Sequence, residues 1–336
     1  MRSSLVDLLA QREVLLADGA TGTNYFAAGL PAGHPPELWN VEQPEKVMDL
    51  HQRFVDAGAD IILTNSFGGT CYRLKLHQSE DRVFELAQRA AQLARRVADA
   101  APRPVVVGGS VGPTGELFEP LGALTHADAV AAFREQMEGL IAGGVDVIWI
   151  ETLSSAEEIR AAAEAAISIG APYVCTCSFD TAGRTMMGLL PNALGAVFAD
   201  LPVAPLAYGA NCGVGASDML VTVKSMCSAD HGPVVAKGNC GIPQFRGAEI
   251  VYSGTPELMA TYARLAADAG ARIVGGCCGT SPAHLAAMRR ALDARVPAPS
   301  PSVEEIVAQV GPLTNALPSA GGEGRARRRR SESSSE

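Results

Sequence analysis

Short runs of Val, Ile and Leu recur along the chain, each followed by Gly, Ser, Thr or Asn and then by a segment with helical spacing. Eight stand out: "VLLADGA" (14–20), "DIILTNSF" (60–67), "PVVVGGSV" (104–111), "VDVIWIET" (145–152), "PYVCTCSF" (172–179), "APLAYGANC" (204–212), "PVVAKGNC" (233–240) and "ARIVGGCC" (271–278). They are near-continuously apolar instead of alternating, as strands buried on both faces are, and so predict a parallel sheet. The intervening segments have legible ends. In "PEKVMDLHQRFVDAGAD", Val47, Leu50, Phe54 and Val55 share one face, and Gly58 suits the left-handed position after the last turn. Gly143, Gly170 and Gly270 recur at the same place in their own units. Eight repeats of helix, glycine cap, buried strand and loop in roughly 280 residues fit an α/β chain closed as a (β/α)8 TIM barrel. A doubly wound sheet is the alternative, but nothing here resembles its dinucleotide-binding glycine fingerprint.

This pattern sets the expected boundaries: a single barrel over 1–296, a proline-rich extension with one helix over 297–318, and a low-complexity disordered tail over 319–336. The basic cluster Arg325 to Arg330 sits among glutamates and serines, reads as a solvated tail and is given no function. The 336 residues are 47% hydrophobic and 19% charged, enough for a large core. A net charge of -9 argues against nucleic acid and for small-molecule ligands. Charges at Asp7, Arg12, Glu13 and Asp18 interrupt any leader-like apolar stretch, and no run approaches the roughly 18 apolar residues of a membrane span. The expectation is a cytoplasmic protein with no membrane association. Eight cysteines in a chain of this length suit free thiols better than a secreted disulfide framework.

In such a barrel the chemistry lies at the C-terminal ends of the strands. Those ends read "DGATGT", "TNSFGGT", "GSVGPTGE", "ET", "ANCG", "GNCG" and "GGCCGT", and three of them carry Cys212, Cys240, Cys277 and Cys278. The sixth and eighth strands are separated by one neighbour, and strands run about 4.8 Å apart, so their tips are close enough to share an ion. Cys277 and Cys278 can converge only where the backbone bends, and Gly275, Gly276 and Gly279 are expected to permit that bend. Three thiolates at about 2.3 Å suit Zn²⁺ and leave a fourth tetrahedral position open for catalysis. Four would close the site and make it structural, so Cys240 decides between a catalyst and a non-catalytic barrel with a closed four-cysteine zinc. Cys71, Cys175, Cys177 and Cys227 are assigned to packing.

"LLADGATGT", "DIILTNSFGGT", "GANCG" and "GGCCGTSPAHL", in this order, resemble the homocysteine S-methyltransferase family, which includes betaine-homocysteine methyltransferases and the homocysteine module of cobalamin-dependent methionine synthase. The resemblance covers about residues 5 to 295. It implies a (β/α)8 barrel with one catalytic zinc held by Cys212, Cys277 and Cys278, while Cys240 falls where relatives carry a non-ligand. It further implies that the zinc activates homocysteine's thiol for attack on an activated methyl group. Asp18 and the backbone at Gly19 resemble the amino-acid clamp, Glu151 the carboxylate for homocysteine's ammonium, and Asn211 joins them on the substrate side.

The methyl donor divides the family. An aromatic cage favours the quaternary ammonium of betaine, but the positions where the animal betaine enzymes carry tyrosines read Gly68 and Thr152 here, leaving Trp39 and Phe67 as donor-side candidates. "NSFGGT" and "IETLS" look closer to the methionine synthase module, whose donor, methylcobalamin, would have to arrive on a separate partner protein. Betaine or a related small onium compound is the first expectation and the cobalamin partner the alternative. Another thiol acceptor would share the zinc and differ only in the clamp.

Overall fold

The computed structural model describes residues 2–229, 231–241, 243–246 and 249–314. The eight expected strands are present as β1 (Leu15–Leu16), β2 (Ile61–Leu63), β3 (Val106–Val111), β4 (Val147–Leu153), β5 (Tyr173–Cys177), β6 (Ala207–Cys212), β7 (Val234–Gly238) and, after a hairpin of β8 (Pro243–Arg246) and β9 (Glu249–Tyr252), β10 (Ala271–Gly276). All eight sheet strands pair in parallel, in the order β1-β10-β7-β6-β5-β4-β3-β2. The remaining seam is closed by a parallel bridge between Ala17 and Ile61, so the sheet is a nearly closed (β/α)8 barrel.

Two apolar layers follow from the pleat. Leu15, Ala17, Ile61, Leu63, Val106, Val147, Trp149, Val174, Val235 and Ile273 fill the barrel interior, and Leu5 and Leu8 of the first helix, Leu5–Gln11, plug its lower end. Alternate strand residues face the helices, where Ala-rich stripes such as Ala161, Ala162, Ala165 and Ala166 permit close packing. Gly58, Gly170 and Gly270 adopt the left-handed backbone expected of helix ends. The fourth cap is Gly144, at φ 99°, and not Gly143. Gly143 lies inside its helix, where a Cβ would collide with the Gln88 carbonyl. The one helix expected in the proline-rich extension is Val303–Val310, which docks through Ile306 and Val310. Ser217 Oγ donates to the Gly311 carbonyl at 2.7 Å and holds its end. The disordered tail expected over 319–336 lies outside the described residues. Among the described residues no helix is long and apolar enough to cross a membrane.

His51, on the helix Pro44–Asp56, is wholly buried with its Nε2 unpaired, and burial pushes its imidazole down to about 4. A histidine whose folded pKa is depressed contributes stability that is complete above its unfolded value of about 6.5 and is lost as pH falls towards 4. Urea unfolding of the metal-free protein is expected to lose roughly 3 kcal/mol across that window beyond the loss seen in His51→Gln. Equal slopes in the two proteins would refute it.

Candidate metal centre and active site

Cys212, Cys277 and Cys278 come together at the C-terminal end of the barrel, their three Sγ atoms within 4.8 Å of one another. A tetrahedral zinc at about 2.3 Å from each sulfur needs sulfurs roughly 3.8 Å apart, so the thiols fit the metal with little adjustment. Cys240 is not part of this group. It is buried, its N–H donates to the Cys278 carbonyl at 2.9 Å, and a Cβ on Gly254 would lie 2.7 Å from its sulfur. Its backbone N–H thereby pins the turn that carries Cys278.

That turn explains how neighbouring cysteines converge. Cys277 N–H donates to the Gly238 carbonyl at 2.8 Å, continuing the β10–β7 ladder, and Thr280 N–H closes a four-residue turn on the Cys277 carbonyl at 3.1 Å. Gly279, at φ 80°, occupies the third position, which a type II turn reserves for glycine. The expectation that all three glycines bend the chain is therefore corrected. Gly275 and Gly276 keep ordinary strand backbone and serve close approach, since a Cβ would meet Ala17 and Lys237 at 3.0 Å in one case and collide with the Thr280 side chain in the other.

The other strand ends carry strain. Cys212 has φ 62° and Thr152 φ 66°, left-handed conformations that each cost about 1–3 kcal/mol in a non-glycine residue. Asn211 holds both. Its Oδ1 accepts from Thr152 N–H at 2.9 Å and Thr176 Oγ1 at 2.7 Å, while its Nδ2 donates to Thr152 Oγ1 at 2.7 Å and reaches Cys277 Sγ at 3.9 Å. Asn239 Nδ2 approaches Cys212 Sγ at 3.6 Å and bonds the Gly213 carbonyl at 2.7 Å. Without metal the thiols hold one another protonated. The Cys212 thiol is pushed up to about 12, first by its hydrogen bond with Cys277, and Cys278 to about 11, first by its hydrogen bond with Cys212. A divalent cation held by the three thiols would reverse this, because it would stabilise every thiolate at once.

Beside the thiols lies a buried charged layer. Glu151, at the end of β4, is 8% exposed, and burial pushes its carboxyl above the usual range. Ser110 donates to its Oε1 at 2.5 Å, and Ser110 is itself fixed through Thr64 and Ser66. Among the described residues Glu151 Oε2 takes no hydrogen bond. Asp18 is more tightly held: Lys237 Nζ sits 2.6 Å from its Oδ1, and Leu63 N–H donates to its Oδ2 at 2.7 Å. Burial alone would depress the Lys237 ammonium, but Asp18 and Glu151 outweigh it and keep its pKa above that of an ordinary lysine. Gly19 is enforced by space, since a Cβ would lie 2.5 Å from the Thr280 carbonyl.

The donor-side candidates separate. Phe67 is 39% exposed and lies against Gly112 at the barrel mouth. Trp39 is 3% exposed, with Tyr25 at 5.3 Å between ring centroids and Nζ of the half-buried Lys46 4.6 Å from its own, so its ring is already covered. Two residues at this face were not anticipated. Lys237 hides within the apolar run "PVVAKG", and Tyr252 arrives on the hairpin, packed on Gly279 and within hydrogen-bonding reach of Cys278.

The matching family model, homocysteine S-methyltransferase, covers residues 15–292. The chain belongs to the homocysteine S-methyltransferase family. Of the solved structures, the homocysteine methyltransferase MmuM from Escherichia coli matches in its oxidized form with a TM-score of 0.72 at 27% identity, over 86% of this chain and 99% of that one. Its metallated form matches with a TM-score of 0.71 at 26% identity, over 85% and 99%. A curated relative, methionine synthase of Mycobacterium tuberculosis, is 31% identical over 84% of this chain, which spans about a quarter (25%) of that protein's length. Membership in this family makes the chain a methyltransferase and directs attention to the thiol end of the barrel.

Proposed function

We propose that this methyltransferase is zinc-dependent and makes methionine from homocysteine, with Cys212, Cys277 and Cys278 as ligands and betaine or a related small onium compound as donor. The observation that carries the reading is the three-thiol cluster from which Cys240 is excluded, a donor set with one tetrahedral position to spare. Zinc there would supply Lewis acidity, lowering the pKa of a substrate thiol into the range where it is a nucleophile at neutral pH. Everything else falls to the chain. Glu151, 8% exposed and with no hydrogen bond to its Oε2 among the described residues, would take the substrate's ammonium, and Ser110 fixes its orientation. Asp18, engaged by Lys237 and Leu63, adds negative field to the same place. Asn211 and Asn239 steady Cys277 and Cys212 with N–H···S contacts, moderating the charge on sulfur.

A cationic donor suits this electrostatic setting. Three thiolates around one divalent ion leave a negative charge, and Phe67 offers an exposed ring at the mouth. The second reading, methylcobalamin delivered by a partner protein, is favoured by the 31% identity to methionine synthases of M. tuberculosis and Mycobacterium leprae. Zinc-loaded protein should be assayed for methionine from homocysteine with betaine, a dimethylsulfonio compound or methylcobalamin. Turnover with an onium donor is expected. Turnover with methylcobalamin alone would replace the donor, and no methionine from any donor would remove the homocysteine reading.

A further inference from the structure

The opposite end of the barrel holds a second cluster that methyl transfer does not use. Asp60, 1% exposed and just ahead of β2, is met by three guanidiniums from separate parts of the chain: Arg12 after the first helix, Arg103 before β3, and Arg289 on the last barrel helix, Pro282–Asp293. Arg12 Nη1 bonds its Oδ1, Arg103 Nη1 stands at 3.6 Å, and Arg289 Nη1 approaches Oδ2 at 3.4 Å. Oδ2 also accepts the Leu16 N–H at 2.9 Å, so Asp60 has little capacity left for further donors. These residues line a cleft of about 620 Å³ together with Val14, Gly58, Leu292 and Arg295.

The charges do not balance at its centre. Three guanidiniums surround one buried carboxylate; of the other lining acids, Asp293, 65% exposed, pairs with Arg289 Nη2 at 2.6 Å and Glu13, 66% exposed, pairs with Arg295, which leaves four lining arginines against three acids. Among the described residues that line the cleft, two guanidinium nitrogens are buried without a hydrogen-bond acceptor, Arg103 Nη1, which stands 3.6 Å from Asp60, and Arg289 Nε. The cluster also serves the fold, since Arg103 Nη2 donates to the Val55 carbonyl at 2.7 Å and Asp60 accepts the Leu16 N–H. Unpaired guanidinium N–H groups around a polar cleft are costly unless an acceptor fills it, and the planar forks of arginine match tetrahedral oxyanions two bonds at a time. In a chain of net charge -9 a cationic cleft is a local exception.

We propose that this cleft is a binding site for a dianionic oxyanion, inorganic phosphate or the phosphate of a small phosphomonoester, held by Arg12, Arg103 and Arg289. The cleft volume exceeds that of a bare phosphate, and Val14 and Leu292 give an organic substituent an apolar wall. Occupancy ties together the start of β1, the start of β2 and the last barrel helix. The seam there is already made by Asp60 N–H to the Leu16 carbonyl and Leu16 N–H to Asp60, so binding is expected to raise the unfolding temperature. The site is independent of the thiol end and of the reaction performed there.

The test is calorimetric titration and thermal unfolding of the full chain with phosphate, glycerol 3-phosphate, succinate or chloride at matched ionic strength, in zinc-loaded and metal-free protein alike. Saturable binding of phosphate or the monoester, with a rise of a few degrees that chloride does not give, is expected, and metal content should not alter it. A tighter response to the monoester identifies an organic ligand, and an equal response identifies phosphate. Arg103→Lys should weaken binding at least tenfold while leaving the ligand-free unfolding temperature near wild type, because the charge stays and the fork is lost. Arg289→Lys provides the same comparison should the first variant fold poorly. No saturable binding to wild type, or phosphate binding unchanged in a folded lysine variant, would overturn the site.

Discussion

Alanine at Cys212, Cys277 or Cys278 is expected to abolish stoichiometric zinc binding and to reduce methionine formation by roughly 10³-fold or more, whereas Cys240→Ala keeps both the metal and most of the rate. The size follows from the several kcal/mol that a Lewis acid contributes at the reacting atom. The asymmetry follows from geometry. Each of the three clustered sulfurs would be one ligand of a site to which no other group joins among the described residues, while Cys240 supports the Cys278 turn through its backbone N–H, which alanine retains. Metal content by elemental analysis and turnover with the productive donor check the two halves separately. Zinc lost from Cys240→Ala as completely as from Cys212→Ala would revive the closed four-cysteine site and remove the open position on which the proposed mechanism depends.

The strands and the cysteines at their ends were legible because both are local signals. A strand covered on both faces must be apolar almost throughout, and all eight such runs became barrel strands. Strand-end placement then followed from the fold and brought four cysteines to one end of the barrel, of which the family resemblance singled out Cys212, Cys277 and Cys278, the three that cluster. Features set by contacts between distant segments were not legible. The β8–β9 hairpin lies within what reads as an ordinary loop, so Tyr252 beside Cys278 had no local signature. Gly275 and Gly276 were read as flexible when they are small, a distinction made by Ala17, Lys237 and Thr280 across the barrel. Trp39 and Phe67 look alike in sequence as aromatic residues near the mouth, and only packing separates a crowded core ring from an exposed one. Lys237 escaped notice for a related reason: one lysine in an apolar strand reads as an edge or an end, and its partner Asp18 is 219 residues away.

That lysine carries the second large effect. Lys237→Met is expected to destabilise the fold by about 3–5 kcal/mol, because it strands Asp18 as an unpaired charge inside the barrel. Methionine fills much of the same volume, so the loss is electrostatic and not a cavity. Lys237 is 2% exposed on its side chain and Asp18 1%, and the contact of 2.6 Å leaves no room for water to substitute. The Asp18→Asn, Lys237→Met pair removes both charges and should recover most of the loss, giving a coupling energy of a few kcal/mol in a double-mutant cycle. Urea unfolding supplies the energies, and homocysteine KM in the double variant supplies a functional consequence. If Glu151 alone holds the substrate's ammonium while Asp18 contributes through its field, the double variant should turn over with KM raised only a few-fold, and Glu151→Gln should raise it far more. A Lys237→Met protein as stable as wild type would mean that Asp18 is protonated in the barrel and that the pair is not ionic.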